Sequence, residues 1–100
     1  MELTRLPLLT IVAESVLRER LIAELQRAGA KGYTITYGVG DGSRHIRSGD
    51  LPGENIRIET ITTRAIADQL LNVLANEYFP HFAIIAFVND VNVVRGSKYV

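Results

Sequence analysis

The stretch YTITYGVGDGSRHIRSGDLPGENIRIETIT, residues 33–62, decides the fold. Tyr33, Ile35 and Tyr37 alternate with Thr34 and Thr36, and Asn55–Thr62 alternates again after the interruption. Two runs of period-two patterning predict two strands. Between them, residues 38–54 hold five glycines (Gly38, Gly40, Gly42, Gly49, Gly53), one proline and little apolar content. That composition predicts a long loop, mobile when empty. A loop of this length within a small domain usually carries function.

Upstream of this hairpin, apolar Leu17, Leu21, Leu25 and Ala28 are spaced by three or four, and Ile22 widens the same face, so a helix is predicted from about Ser15 to Ala28. Glu14-Ser15 offers its N-cap and Gly29 a left-handed C-cap. The branched apolar run Leu8–Ala13 (LLTIVA) before it predicts a buried strand. Downstream, Thr62 or Thr63 caps a second helix with Ile66, Ala67, Leu70, Leu71, Leu74 and Tyr78 on its buried side, and Pro80 ends it. Phe82–Val88 (FAIIAFV) predicts a last, central strand, and Asn89–Val100 reads as a mixed tail.

The order is β-α-β, long loop, β-α-β. It predicts an α+β, ferredoxin-like fold: a four-stranded antiparallel sheet with two helices on one face, in a single domain spanning residues 1–100. Ile35, Ile58, Ile84 and their neighbours suggest apolar or semi-apolar residues on both sheet faces. Two helices cover only one face, and an uncovered apolar face predicts self-association.

Composition narrows the function classes. Lys+Arg and Asp+Glu are equal at 11 each across 100 residues. That balance argues against a nucleic-acid binder, which needs clustered excess cations, while a local anion site needs only two or three. Cysteine is absent, which removes disulfides, thiolate nucleophiles and zinc–thiolate sites. The N-terminus lacks a charged region followed by a long apolar one, and no apolar run approaches the ~20 residues that span a bilayer. The expected location is the cytoplasm.

The richest chemistry lies in the loop. Gly40, Gly42, Gly49 and their neighbours let several N–H groups converge on one anion. Ser43 and Ser48 add hydroxyls, and Arg44 and Arg47 add planar forks suited to phosphate or carboxylate. The glycine spacing matches neither the dinucleotide fingerprint nor a Walker loop, so spacing alone leaves anion binding and plain solvated charge both open. His45 and His81 have no metal-ligand spacing. Asp41, Asp50 and Glu54 lack the rigid setting that paired catalytic carboxylates need, and no nucleophile–base–orienter set is present.

Two segments carry a family resemblance. Ala28-Gly29-Ala30-Lys31-Gly32-Tyr33-Thr34 resembles the AKGYT segment of PII-like proteins. Gly42-Ser43-Arg44 through Arg47-Ser48 resembles the GSRxxRS element in the T-loop of the SbtB group, to which carboxysome-associated PII proteins are similar. The resemblance runs from Leu9 to Gly96. It implies a homotrimeric, non-enzymatic signalling protein with an adenine nucleotide in each cleft between subunits and residues 38–54 as the T-loop. It also implies that backbone around Thr36, Tyr37 and Gly38 of one chain, and Phe87, Val88 and Asn89 of the next, hold the adenine. Gly40, Gly42, Ser43, Arg44 and Arg47 would meet the phosphate. The implied ligands are AMP, ADP, ATP or cyclic AMP, with bicarbonate as a further one. The implied partners are a bicarbonate transporter or a carboxysome-related protein, in the regulation of inorganic-carbon acquisition. Arg95 and Lys98 could reach the phosphates from the tail.

The chain also departs from the proteins it resembles. Better-known PII proteins carry a modifiable T-loop tyrosine, which this loop lacks. They also carry a glycine-rich phosphate loop where this chain has only Tyr78-Phe79-Pro80-His81-Phe82, which argues against tight ATP/2-oxoglutarate sensing with magnesium. With no cysteine, redox control through a C-terminal extension of the SbtB type is excluded. Two other readings remain at this level: a metal-binding ferredoxin-like trimer, which the lack of cysteine and the single methionine disfavour, and a small nucleotide-hydrolysing enzyme.

Overall fold

The computed structural model describes residues 1–40 and 54–100. Four strands and two helices follow in the predicted order: β1 (Thr4–Glu14), α1 (Arg18–Ala28), β2 (Thr34–Val39), β3 (Glu54–Ile61), α2 (Arg64–Val73) and β4 (Ile85–Val93). The sheet is antiparallel throughout, in the order β2-β3-β1-β4. β1 and β3 are therefore interior, while β2 and β4 are opposite edges. This is the predicted ferredoxin-like arrangement.

Side-chain alternation divides the sheet into two faces. Leu9, Ile11 and Ala13 of β1 lie opposite Thr60, Ile58 and Ile56 of β3. All six are buried, and the apolar ones form the core with Leu17, Leu21 and Leu25 below and Leu70, Leu74 and Tyr78 beside them. Ile35, Ile84, Ala86 and Val88 pack against the edge of this core. Ile35, Ile58 and Ile84 thus all serve the helix-covered face, and the expected apolar second face comes from neighbouring positions. That second face exists through other residues: Leu8, Val12 and Ile61, with Ile85 and Phe87 of β4 facing Val12 and Thr10. Ile85 is 60% exposed and Phe87 39%.

The helix ends carry two of the predicted caps. Gly29 adopts φ 93° and its N–H reaches the carbonyls of Leu25 and Gln26, the predicted left-handed cap. The Thr63 hydroxyl accepts from the Ile66 N–H at 3.2 Å and caps α2. The start of α1 differs. Ser15–Leu17 form a 3₁₀ turn, α-helix begins at Arg18, and Ser15 caps nothing; its hydroxyl donates instead to Glu54 at 2.7 Å, tying this turn to the start of β3. α2 runs on into a π-type turn over Leu74–Tyr78, closed by the Phe79 N–H on the Leu74 carbonyl at 2.8 Å, before Pro80.

The last strand is displaced. It was predicted over Phe82–Val88, and it occupies Ile85–Val93. Phe82 packs 6.0 Å from the Tyr78 ring, and the Arg20 guanidinium lies 5.0 Å from Tyr78 and 5.1 Å from Phe82. The apolar start of FAIIAFV therefore seals the end of α2 and does not pair. Asn89–Val93, predicted as tail, pair with Thr4–Leu8. Among the described residues no helix is long and apolar enough to cross a membrane.

Candidate functional site

The predicted contact residues that the structure describes fall into two groups. Thr36, Tyr37 and Gly38 lie on β2, paired with Arg57, Ile56 and Asn55. Phe87, Val88 and Asn89 lie on β4, paired with Thr10, Leu9 and Leu8. Each is an edge strand, so alternate N–H and C=O groups point away from the sheet, open to a ligand. The two edges are three strand spacings apart, about 14 Å. Within one subunit they cannot both touch the same base.

Gly38 and Val39 are strand residues, as is Glu54, so both ends of the predicted 38–54 loop belong to the sheet. Gly40 follows β2 and lies so close to the Asn55 amide that a Cβ there would overlap it. The overlapping atom is the free end of the Asn55 side chain, so a larger residue at 40 would displace that amide. Gly42, Ser43, Arg44 and Arg47 lie outside the described residues.

Two recesses accompany the β2 edge. The smaller, about 190 Å³, is lined by Thr36, Tyr37, Gly38 and Val39 with Asn55 and Arg57. Tyr37 turns its side chain back toward α1, where its hydroxyl meets the Arg18 guanidinium. The Glu19 carboxylate, and then Tyr37, hold Arg18 above its ordinary pKa. Arg57 reaches across the open face to 5.8 Å from the Phe87 ring centroid and 3.7 Å from Glu59.

The larger recess, about 500 Å³, lies at the other end of β2. Its walls are Gly32, Tyr33 and Thr34, then Glu59 and Ile61 of β3 with Leu8 of β1, and Lys98 and Tyr99 from the tail. It combines apolar walls with one carboxylate and one ammonium, a lining suited to a small polar ligand. Sequence reasoning noticed AKGYT only as a motif and did not assign Gly32–Thr34, Glu59, Ile61 or Tyr99 to a site. The signal was present in β3: Ile56, Ile58 and Thr60 mark the core face, so Arg57, Glu59 and Ile61 must share the open one. Among the described residues no group of three or more His, Cys, Asp or Glu could hold a metal.

The family model described as nitrogen regulatory protein P-II matches residues 6–98. A PII-like signalling protein from Thermus thermophilus is 58% identical over 100% of both chains, with a TM-score of 0.86. CPII from Thiomonas intermedia, solved with ADP, AMP and acetate, is 30% identical over 99% of this chain and 98% of its own, with a TM-score of 0.83. The same protein with ADP and bicarbonate matches at 29% identity, 99% and 98% coverage and a TM-score of 0.84. With the strand order, the open sheet face and these near full-length matches in agreement, the chain belongs to the nitrogen regulatory protein P-II family and is a PII-like signalling protein.

Proposed function

We propose that this protein is a non-enzymatic sensor of adenine nucleotides that works as a homotrimer. AMP, ADP, ATP or cyclic AMP binds between the β2 edge of one subunit, at Thr36–Gly38, and the β4 edge of the next, at Phe87–Asn89. Gly40, Gly42, Ser43, Arg44 and Arg47 of the T-loop close on the phosphate, and the closed loop engages or releases a partner. Bicarbonate is a second ligand. The regulated process is inorganic-carbon acquisition, through a bicarbonate transporter or a carboxysome-related protein.

The observation that carries this reading is the near full-length likeness to CPII, a protein solved with ADP and bicarbonate bound. The fold supports the assembly. The two halves of the contact set lie on opposite edges of one sheet, so a ligand touching both requires two subunits. An open face bearing Ile85 and Phe87 needs a cover of the kind another copy supplies. The recess of about 500 Å³ continues the β2 edge and supports a ligand of nucleotide size. For a switch, the nucleotide must favour one loop state over the other, and Arg44 and Arg47 are the residues able to make that difference through charge-assisted contacts.

Isothermal titration calorimetry of the wild type and of Arg44→Ala/Arg47→Ala against the four nucleotides, with and without bicarbonate, tests the reading. Weakened binding in the double variant is expected; unchanged binding would defeat the loop assignment.

A further inference from the structure

One wall of the larger recess comes from outside the sheet: Lys98 and Tyr99 belong to a 3₁₀ turn, Gly96–Tyr99, that follows β4. Two features root that turn. Arg95 has φ 62° and is the one non-glycine residue among the described residues with positive φ, a conformation that persists only where the surroundings impose it. Gly96, next to it, is buried. A Cβ at position 96 would overlap Cβ, Oγ1 and Cγ2 of Thr4. Thr4 is the first residue of β1 and lies opposite Val93, the last residue of β4, so the chain is fixed to the sheet three residues after its final strand pairing. The Lys98 N–H then closes on the Arg95 carbonyl at 3.0 Å. The positions of Lys98 and Tyr99 follow from this root. The Lys98 ammonium lies 5.8 Å from the Tyr99 ring centroid and has no ion-pair partner among the described residues.

We propose that the Gly96–Thr4 contact is the pin that holds the C-terminal turn in place as a wall of the recess, which makes Gly96 and Thr4 positioning residues for ligand binding. The inference rests on the reading that a nucleotide lies along the β2 edge and into this recess. The pin presents the Tyr99 ring and the Lys98 ammonium to the part of the ligand that enters. Any side chain at 96 must push Thr4 or lift the turn, and lifting the turn withdraws both groups together. The core, which contains neither residue, is untouched.

The test compares wild type, Gly96→Ala, Thr4→Gly and Thr4→Gly/Gly96→Ala. Calorimetry with ADP is paired with amide hydrogen exchange of residues 95–100 in ligand-free protein and with thermal melts. Gly96→Ala is expected to speed exchange across 95–100 and raise the Kd for ADP about tenfold, the loss of one aromatic face or one cation, with little change in melting temperature. The double variant, in which Thr4 no longer has the three atoms that clash, is expected to recover both slow exchange and affinity. Unchanged exchange and affinity in Gly96→Ala, or losses that Thr4→Gly does not rescue, would overturn the pin. Absence of ADP binding by the wild type would count against the nucleotide reading instead, and the exchange data would then decide the pin alone.

Discussion

If each nucleotide site takes the β2 edge from one chain and the β4 edge from the next, two variants that cannot bind ADP should regain binding when mixed. Gly38→Asp damages the β2 side. A Cβ at Gly38 meets nothing within 4 Å, and its φ is not in the positive region, so the carboxylate is accommodated and points into the smaller recess. Asn89→Asp damages the β4 side at an exposed edge residue. A carboxylate aimed at the adenine stands about 10 Å from the phosphate charge, a repulsion of about 1.7 kcal/mol at an effective dielectric constant of about 20, and the base leaves it without water or a hydrogen-bond donor, at a cost of about 1–3 kcal/mol more; together that is about two orders of magnitude in affinity. Each pure variant should therefore show no measurable ADP binding at ordinary calorimetric concentrations while remaining trimeric. In trimers co-refolded from equal amounts, a cleft is intact when its β2 side comes from the Asn89→Asp chain and its β4 side from the Gly38→Asp chain. Each condition holds about half the time, so about one quarter of the clefts should recover wild-type affinity in a cyclic trimer. Calorimetric stoichiometry reads this directly. Failure to recover any tight site in mixed trimers, with mixing verified by mass spectrometry, would refute the shared-cleft geometry.

Three further predictions follow from the structure. Ile85→Asp, at a residue 60% exposed on the open face, should leave the subunit folded by circular dichroism but shift the mass measured by light scattering from trimer toward monomer, since an assembled interface cannot bury an unpaired carboxylate cheaply. Ile58→Ala, at a fully buried position between β1 and β2, should cost about 3 kcal/mol and lower the melting temperature by more than about 10 °C. Tyr78 is held above its ordinary pKa, first by burial and then by its hydrogen bond to Glu24 at 2.8 Å. Because the folded state keeps the proton that the unfolded chain releases near pH 10, this contribution to stability is present below that pH and fades as pH rises toward the folded pKa. Urea unfolding between pH 9 and 11 should show that decline, and Tyr78→Phe should remove this part of it.

Much of the fold was legible because the local signals agreed with one another. The alternation in residues 33–37 and 55–62, the glycine after α1 and the threonine before α2 each predicted what the structure contains. Where structure and local sequence pattern part, the causes are physical. Phe82–Ile84 are apolar because they pack against α2 and Arg20, and apolar content alone does not separate packing from pairing. Asn89-Asp90 set two exposed polar residues side by side on an edge strand and break the period-two pattern, so a strand looks like a tail in sequence. β1 was predicted only over Leu8–Ala13 because Arg5 and Pro7 interrupt the apolar run; pairing to β3 ends at Leu8, and beyond it Pro7 supplies only a carbonyl, to the Thr62 N–H at 3.1 Å. Ser15 looks like a cap in sequence because its bond partner, Glu54, is 39 residues away. For the site, the β2 and β4 segments came from the resemblance. The walls of the larger recess required the sheet register and the path of the tail, which no local pattern encodes.

A crystal structure with ADP tests the shared cleft most directly. The account predicts a trimer with one nucleotide in each subunit boundary, its contacts divided between Thr36–Gly38 of one chain and Phe87–Asn89 of its neighbour, and Arg44 and Arg47 on the phosphates. A nucleotide held by one chain alone, or bound away from both edges, would contradict it.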